Sequence, residues 1–206
     1  FDCRQVQPVV MTTGTLACFF RKVKMLTGSK ILEEIEKGNI CISPFDKKQL
    51  NPNSYNVRLG STLKVYTEKV LDFNKDNPSK TIEIPKDGFV LQPGELYIGN
   101  IVERVSTDKY ISAVDGRSSI GRLGILIHAT AGFGDIGFNG NYTLEIFCVK
   151  PVRIYPDMLI GQIYFSEPYG DIDFLYRGRY QGQTEPTTSR SQLKENELGR
   201  EYFYKK

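Results

Sequence analysis

Ile111-Ser112-Ala113-Val114-Asp115-Gly116-Arg117-Ser118-Ser119-Ile120-Gly121-Arg122-Leu123-Gly124-Ile125-Leu126-Ile127-His128 carries the pattern on which the fold reading turns. Two short apolar runs, Ile111–Val114 and Ile125–His128, flank a polar turn. Runs of this length, rich in β-branched residues and bounded by turn signals, read as strands. Gly116 permits a sharp exit from the first strand. The serines and free backbone amides that follow would face outward at the start of a short helical turn. Such a start binds phosphate through its N–H groups and dipole. Arg117 adds a guanidinium able to chelate phosphate oxygens. Ser118 and Arg122 lie four apart, on one face of one turn. Taken alone, R-S-S-x-x-R is more often a solvated turn with capping serines.

The same short-strand grammar extends in both directions. Upstream strands are expected at Asn39–Ile42, Asn56–Arg58, Thr62–Tyr66, Thr81–Ile84, Gly88–Leu91 and Leu96–Val105; downstream, at Tyr142–Val149, Val152–Ile154 and Leu159–Phe165. Turns such as Gln92-Pro93-Gly94 and Tyr155-Pro156-Asp157 separate them. One helix is expected, about Ser29 to Lys37, with Ile31, Leu32 and Ile35 on one face, Thr27 or Ser29 at its start and Gly38 at its end. The class is therefore all-β, a sandwich, jelly roll or barrel with a short N-terminal helix. No repeat of solenoid or propeller period is present.

Three regions follow. Residues 1–24 lack a clear period and precede Met25; they are expected to be a flexible or vector-derived extension. Residues 25–175 form the β domain. From 176 to 206 the chain turns polar, as a disordered tail would. The aromatic and glycine residues around Tyr180 suit equally a segment that orders over a ligand.

Composition narrows the function. With 27 Lys and Arg against 24 Asp and Glu the net charge is +3, too small for a general nucleic-acid binder. A local basic pocket for one small anion remains open. Cys3, Cys18, Cys41 and Cys148 are scattered, as reduced thiols of a cytoplasmic protein would be. With a single histidine, they do not readily supply the three ligands of a catalytic zinc. No apolar run approaches the length of a membrane span.

A second constellation lies downstream. His128-Ala129-Thr130-Ala131-Gly132-Phe133-Gly134-Asp135-Ile136-Gly137-Phe138-Asn139-Gly140 holds four glycines in its last nine residues, the mark of a constrained loop that lets backbone approach a ligand. Glu145 follows in Tyr142–Val149, a run apolar on both faces and so expected to be buried. Its same-face neighbours would be Thr143, Phe147 and Val149. Desolvation there would raise the carboxyl pKa toward what a neutral-pH acid–base group needs; a structural, salt-bridged Glu is the plainer alternative. His128, alone in an apolar strand, reads as a hydrogen-bonded core residue and is left out of the catalytic set.

From about Met25 to Arg190 these residues resemble the dCTP deaminase family, within the trimeric dUTPase superfamily. The resemblance rests on Asn53-Ser54-Tyr55-Asn56-Val57-Arg58-Leu59-Gly60, Leu91-Gln92-Pro93-Gly94-Glu95, Gly116-Arg117-Ser118-Ser119 with Arg122, Thr130-Ala131-Gly132-Phe133, Thr143-Leu144-Glu145, Leu159-Ile160-Gly161-Gln162 and Tyr180-Gln181-Gly182-Gln183. It implies a distorted jelly roll of the dUTPase-like type, assembled as a homotrimer with active sites shared between subunits. It implies dCTP hydrolysed to dUTP and ammonia, its triphosphate held by Arg117, Ser118, Ser119, Arg179, Tyr180 and Gln183. Asp135, Thr143 and Tyr176 would complete the pocket, and Mg2+ would arrive with the phosphates. Glu145 would activate a water placed by Ser118 and the Ala131 carbonyl, with Arg122 supporting the site. No zinc is implied, and the H-x-E, P-C-x-x-C signature of zinc deaminases is absent. Asn56 stands where many relatives carry Asp, and Glu185 where the tail often has Gly.

Two rival readings remain. A bifunctional member would also cleave dUTP, forming dUMP and pyrophosphate; Thr130–Phe133 and Asp135–Phe138 resemble such members, with Asp135 activating a second water. A regulatory module would bind the nucleotide without turnover. A pure dUTPase fits less well, because Phe138 stands where dUTPases carry Tyr and their glycine-rich C-terminal motif is missing.

Overall fold

The computed structural model describes residues 24–193. Helix α1 (Gly28–Glu36) opens on Thr27, whose hydroxyl accepts from the Lys30 amide, and gives way at Gly38, where φ is 75°. Twelve strands follow, interrupted by one 3-10 turn (Lys47–Gln49) and one helical turn, α2 (Ser118–Gly121).

Three sheets arrange them. The largest holds β1 (Cys41–Ser43), β3 (Thr62–Tyr66), β4 (Ser79–Glu83), β6 (Tyr97–Ser106), β8 (Ile125–Leu126) and β10 (Asn139–Cys148), in the order β4-β3-β6-β10-β8, with β1 on β6. A second is β2 (Tyr55–Arg58), β12 (Leu159–Ser166), β7 (Ile111–Gly116) and β9 (Phe133–Gly134) in that order. A small third pairs β5 (Phe89–Leu91) with β11 (Val152–Ile154). The protein is mostly β, of jelly-roll type. Every expected strand is present, though the second run of the opening stretch is strand only over Ile125–Leu126. β9 was not expected: two residues, one of them glycine, carry no period. Among the described residues no helix is long and apolar enough to cross a membrane.

Alternation decides what lies inside. Val57, Leu63, Ile101, Leu144, Ile146, Ile163 and Phe165 are fully buried and belong to one core cluster. Each belongs to a strand whose alternate residues face the other way. Among the described residues, buried charge enters at Glu103 and at Glu34. Glu103 on β6 is fully buried and accepts from the Arg58 amide (2.9 Å), Arg58 Nε (2.8 Å) and Gln49 Nε2 (3.2 Å). Three donors and one cation compensate its lost hydration and tie β2 to β6.

Glu34 fastens the helix in the same way. Its carboxylate, nearly inaccessible to solvent, meets Lys30 at 3.0 Å, Asn39 Nδ2 at 2.7 Å and Lys109 at 3.3 Å. The Tyr110 hydroxyl and these donors hold its pKa well below the usual carboxylate range. A depressed pKa contributes stability above the unfolded value of about 4.3 and loses it as pH falls through the folded value. Glu34→Gln is therefore expected to lower the melting temperature at pH 7. The gap to wild type should narrow as pH drops below about 4, followed by thermal melts across that range; a constant gap would show that Glu34 acts through packing alone.

Candidate active site

The site grows from β10. Tyr142, Leu144, Ile146 and Cys148 point into the core, so Thr143, Glu145 and Phe147 point outward, each half-buried. This corrects the expectation of a strand buried on both faces. The Glu145 side chain retains 29% exposure, and Val149 beyond it is exposed. The run looked two-sided because Phe147 and Val149 are apolar, yet in the protomer their face is open. Leu123 and Leu126 are exposed too. Val149, whose amide donates to the Gly124 carbonyl, stands beside the segment that joins them.

His128 closes over this face. Its Nδ1 lies 2.7 Å from Glu145 Oε2, and its side chain is 8% exposed. The ring is thus buried and hydrogen-bonded as the sequence suggested, but its partner is the candidate acid. The other ring nitrogen, Nε2, is buried without a protein partner. A contact between residues seventeen apart leaves no periodic trace, so sequence reasoning missed His128; its place just before the glycine-rich loop was the one available signal. Gly132 makes the approach possible. A Cβ there would meet the Val114 carbonyl at 2.4 Å and His128 Cδ2 at 3.4 Å. Because that space is empty, the Gly132 carbonyl accepts from the Val114 amide and the loop lies flat on β7.

The phosphate-type turn makes its own contacts. Arg117 precedes α2 in extended conformation, and its guanidinium is 3.4 Å from the Leu159 carbonyl. Ser118, Ser119 and Arg122 are exposed, and the Arg122 amide donates to the Ser118 carbonyl. Ala131 and Asp135 are exposed on the loop. Among the described residues, no hydrogen bond or ion pair joins Arg117, Ser118, Ser119 or Arg122 to Glu145. The chain therefore presents an acid bonded to its histidine, and a polar turn that is not bonded to that acid.

The tail joins the acid's face. Tyr176 donates its amide to the Ile136 carbonyl, and its hydroxyl accepts from the Tyr180 amide. The backbones of Gly182 and Gln183 bond to Asn139 and Asn141, and Gln183 Nε2 donates to the Asn141 carbonyl. Asn100 Nδ2 reaches the Thr184 carbonyl at 3.4 Å, and the Thr187 amide reaches Thr143 Oγ1 at 3.4 Å. Farther on, the Ser189 amide donates to the Tyr66 hydroxyl. As far as residue 193, the tail is a strap across the outward face of β10, β6 and β3. It brings Gln183 to Asn141 and Thr187 to Thr143. Tyr180 and Arg179 serve the strap itself, accepting from Arg190 through a hydroxyl and a carbonyl.

Comparison with known proteins gives three findings. The model of a family described as dCTP deaminase-like matches residues 25–167. A Clostridium beijerinckii protein named "dCTP deaminase, dUMP-forming" is 52% identical over 157 residues, covering 76% of this chain and 90% of its own; one of the same name from Hathewaya histolytica is 51% identical over 160 residues, covering 78% and 92%. The crystal structure of a 2'-deoxycytidine 5'-triphosphate deaminase from Agrobacterium tumefaciens shares the fold, with a TM-score of 0.57 at 20% identity over 71% of this chain. This chain spans about half, 49%, of that solved chain.

The loop beside His128 rests on a tight packing that can be tested. Tyr142 and Ser112 hydroxyls lie 2.5 Å apart, and burial pushes the Tyr142 hydroxyl pKa up to about 12. A methyl at Gly134 would stand 1.8 Å from that tyrosine oxygen. Gly134→Ala is expected to cost about 1–3 kcal/mol. It should lower the urea midpoint at unchanged slope; an unchanged midpoint would show that the loop is free to move off β7.

Proposed function

The chain belongs to the dCTP deaminase-like family, and we propose that it hydrolyses dCTP and carries the product on to dUMP. The single observation that carries the deamination is the Glu145–His128 pair at a half-open face. A proton on Nδ1 lets the imidazole donate to Oε2. The carboxylate is then held in one rotamer, with Oε1 left for water. Glu145 takes a proton from that water and passes it to the cytosine ring nitrogen. The hydroxide adds to the ring carbon bearing the amine. The proton of the added hydroxyl then passes to the amine through Glu145, the carbon–nitrogen bond breaks as the carbonyl forms, and ammonia leaves, so that dCTP and water give dUTP and ammonia. General acid–base help of this kind is worth about 10²–10⁴ in rate.

The dUMP product is favoured by the names of the relatives at 52% and 51% identity, both dUMP-forming. The simpler expectation of dUTP as final product gives way to this alternative. In the second step Asp135, exposed on the glycine-rich loop, activates a water toward the α-phosphorus, and pyrophosphate leaves. Magnesium belongs to the substrate as its triphosphate complex. Asn56 exchanges hydrogen bonds with Asn51 and brings no carboxylate, so the protein itself is assigned no metal ligand.

The site is completed by a second protomer. Arg117, Ser118, Ser119 and Arg122 do not bond to Glu145 within one chain, whereas their chemistry suits a triphosphate and a water. A homotrimer would cover the exposed Leu123, Leu126 and Val149 and bring a neighbour's turn to this face. A binding module without turnover would have no use for a carboxylate so oriented.

Incubation with dCTP and magnesium, followed by separation of products, tests this directly. Ammonia, dUMP and pyrophosphate are expected in equal amounts. Ammonia with dUTP would reduce the activity to its first step, and no ammonia would overturn the reading. Glu145→Gln should keep dCTP affinity while ammonia release falls at least about 10²-fold. Arg117→Ala should mainly weaken binding, by about 1.5–3 kcal/mol, measured as a rise in KM.

A further inference from the structure

Beneath the strap lies a groove of about 340 Å³, within the span of small-molecule sites. Lys64, Arg190 and the hydroxyl-bearing Thr184, Thr187 and Thr188 line it, with Glu185 as its one acid. Neither cation forms an ion pair within 4 Å among the described residues. Arg190 is held in place: its amide donates to the Tyr180 hydroxyl, one guanidinium N–H donates to the Arg179 carbonyl, and the guanidinium lies over the Tyr180 ring at 6.0 Å. A guanidinium has five N–H donors, so most remain for another acceptor.

Register fixes where this groove stands relative to Glu145. Glu145 pairs with Ile98, and Ile98 pairs with Lys64. Directly paired residues share a face, and strands lie about 4.8 Å apart. Lys64 and Glu145 thus stand in one row on the outward face, about 10 Å apart at Cα. That is a span a nucleotide bridges, its base at the acid and its phosphates at the ammonium. Lys64 is half-buried under the strap, unlike a lysine merely solvating an outer strand. An adjoining groove of about 500 Å³, lined by Thr62, Asn100 and Asn141 among others, continues from Lys64 toward β10.

We propose that Lys64 and Arg190 form a phosphate cradle on the same protomer as Glu145, taking the distal phosphates of a nucleoside triphosphate. The inference rests on the reading of the Glu145 face as the nucleotide site. The protomer then supplies its own half of the triphosphate contacts, opposite the half that Arg117 brings from a neighbour. The strap is the element that makes the cradle, since Thr184, Thr187, Thr188 and Arg190 all belong to it.

The test uses the full chain, with inorganic tripolyphosphate as probe in calorimetry and dCTP in steady-state assays. Lys64→Met is expected to weaken tripolyphosphate at least about tenfold, and to raise the KM for dCTP as much while kcat stays within about threefold. Lys64→Arg should restore both, and a melting curve establishes that each variant is folded. A folded Lys64→Met with wild-type tripolyphosphate affinity and KM would overturn the cradle and leave the deaminase reading standing. Lys64-dependent tripolyphosphate binding in a wild-type protein that releases no ammonia from dCTP would support the cradle and sink the deaminase reading.

Discussion

The long antiparallel pairing of β6 with β10 is the constraint from which the rest of the site follows. The two ten-residue strands pair from Asn139↔Ser106 to Asn141↔Arg104 and, past an irregularity, from Thr143↔Asn100 to Ile146↔Tyr97, and this second stretch leaves β10 one way to face at Glu145. Leu144 and Ile146 must enter the core, because a slip of one residue would expose them and bury Glu145. The same lock sets Glu145 level with Ile98 and Lys64, and aims Thr143 at the strap. The placement of the Glu145 side chain is here a by-product of a hydrophobic register.

What surrounds that strand is built to hold shape without sealing it. Glu103 with Arg58, and Glu34 with its lysines, place buried charge at the junctions of elements. Glu145 differs from both. Among the described residues its hydrogen-bond partner is a histidine, and nearly a third of its side chain remains open. The first two carboxylates are committed to structure; the third keeps one oxygen outside its pairing with His128.

Much of this was legible in sequence, for identifiable reasons. Strand positions follow from apolar alternation and from turn residues such as Gln92-Pro93-Gly94, which carry their own geometry. Glu145 was found because a carboxylate in such a strand is conspicuous. Its exposure was misjudged because Phe147 and Val149 mimic a second buried face. His128 was passed over since a single side chain in a strand has no pattern, and its contact depends on how the loop folds back through Gly132. The strap was ambiguous because its order comes from backbone bonds to Asn139, Asn141 and Thr143, to which composition is blind. The turn at Arg117–Arg122 was legible as a motif, but the lack of a bond between it and the acid within one chain was not.

The account's central claim is that the acid of one protomer works with the turn of another. Mixing decides it. Protomers carrying Glu145→Gln are co-refolded with protomers carrying Ser118→Ala, each inactive alone, and the mixed oligomers are assayed for ammonia release from dCTP. Sharing between protomers predicts that activity returns, because some interfaces then pair an intact Glu145 with an intact Ser118. Mixed oligomers of verified composition that stay inactive would contradict it.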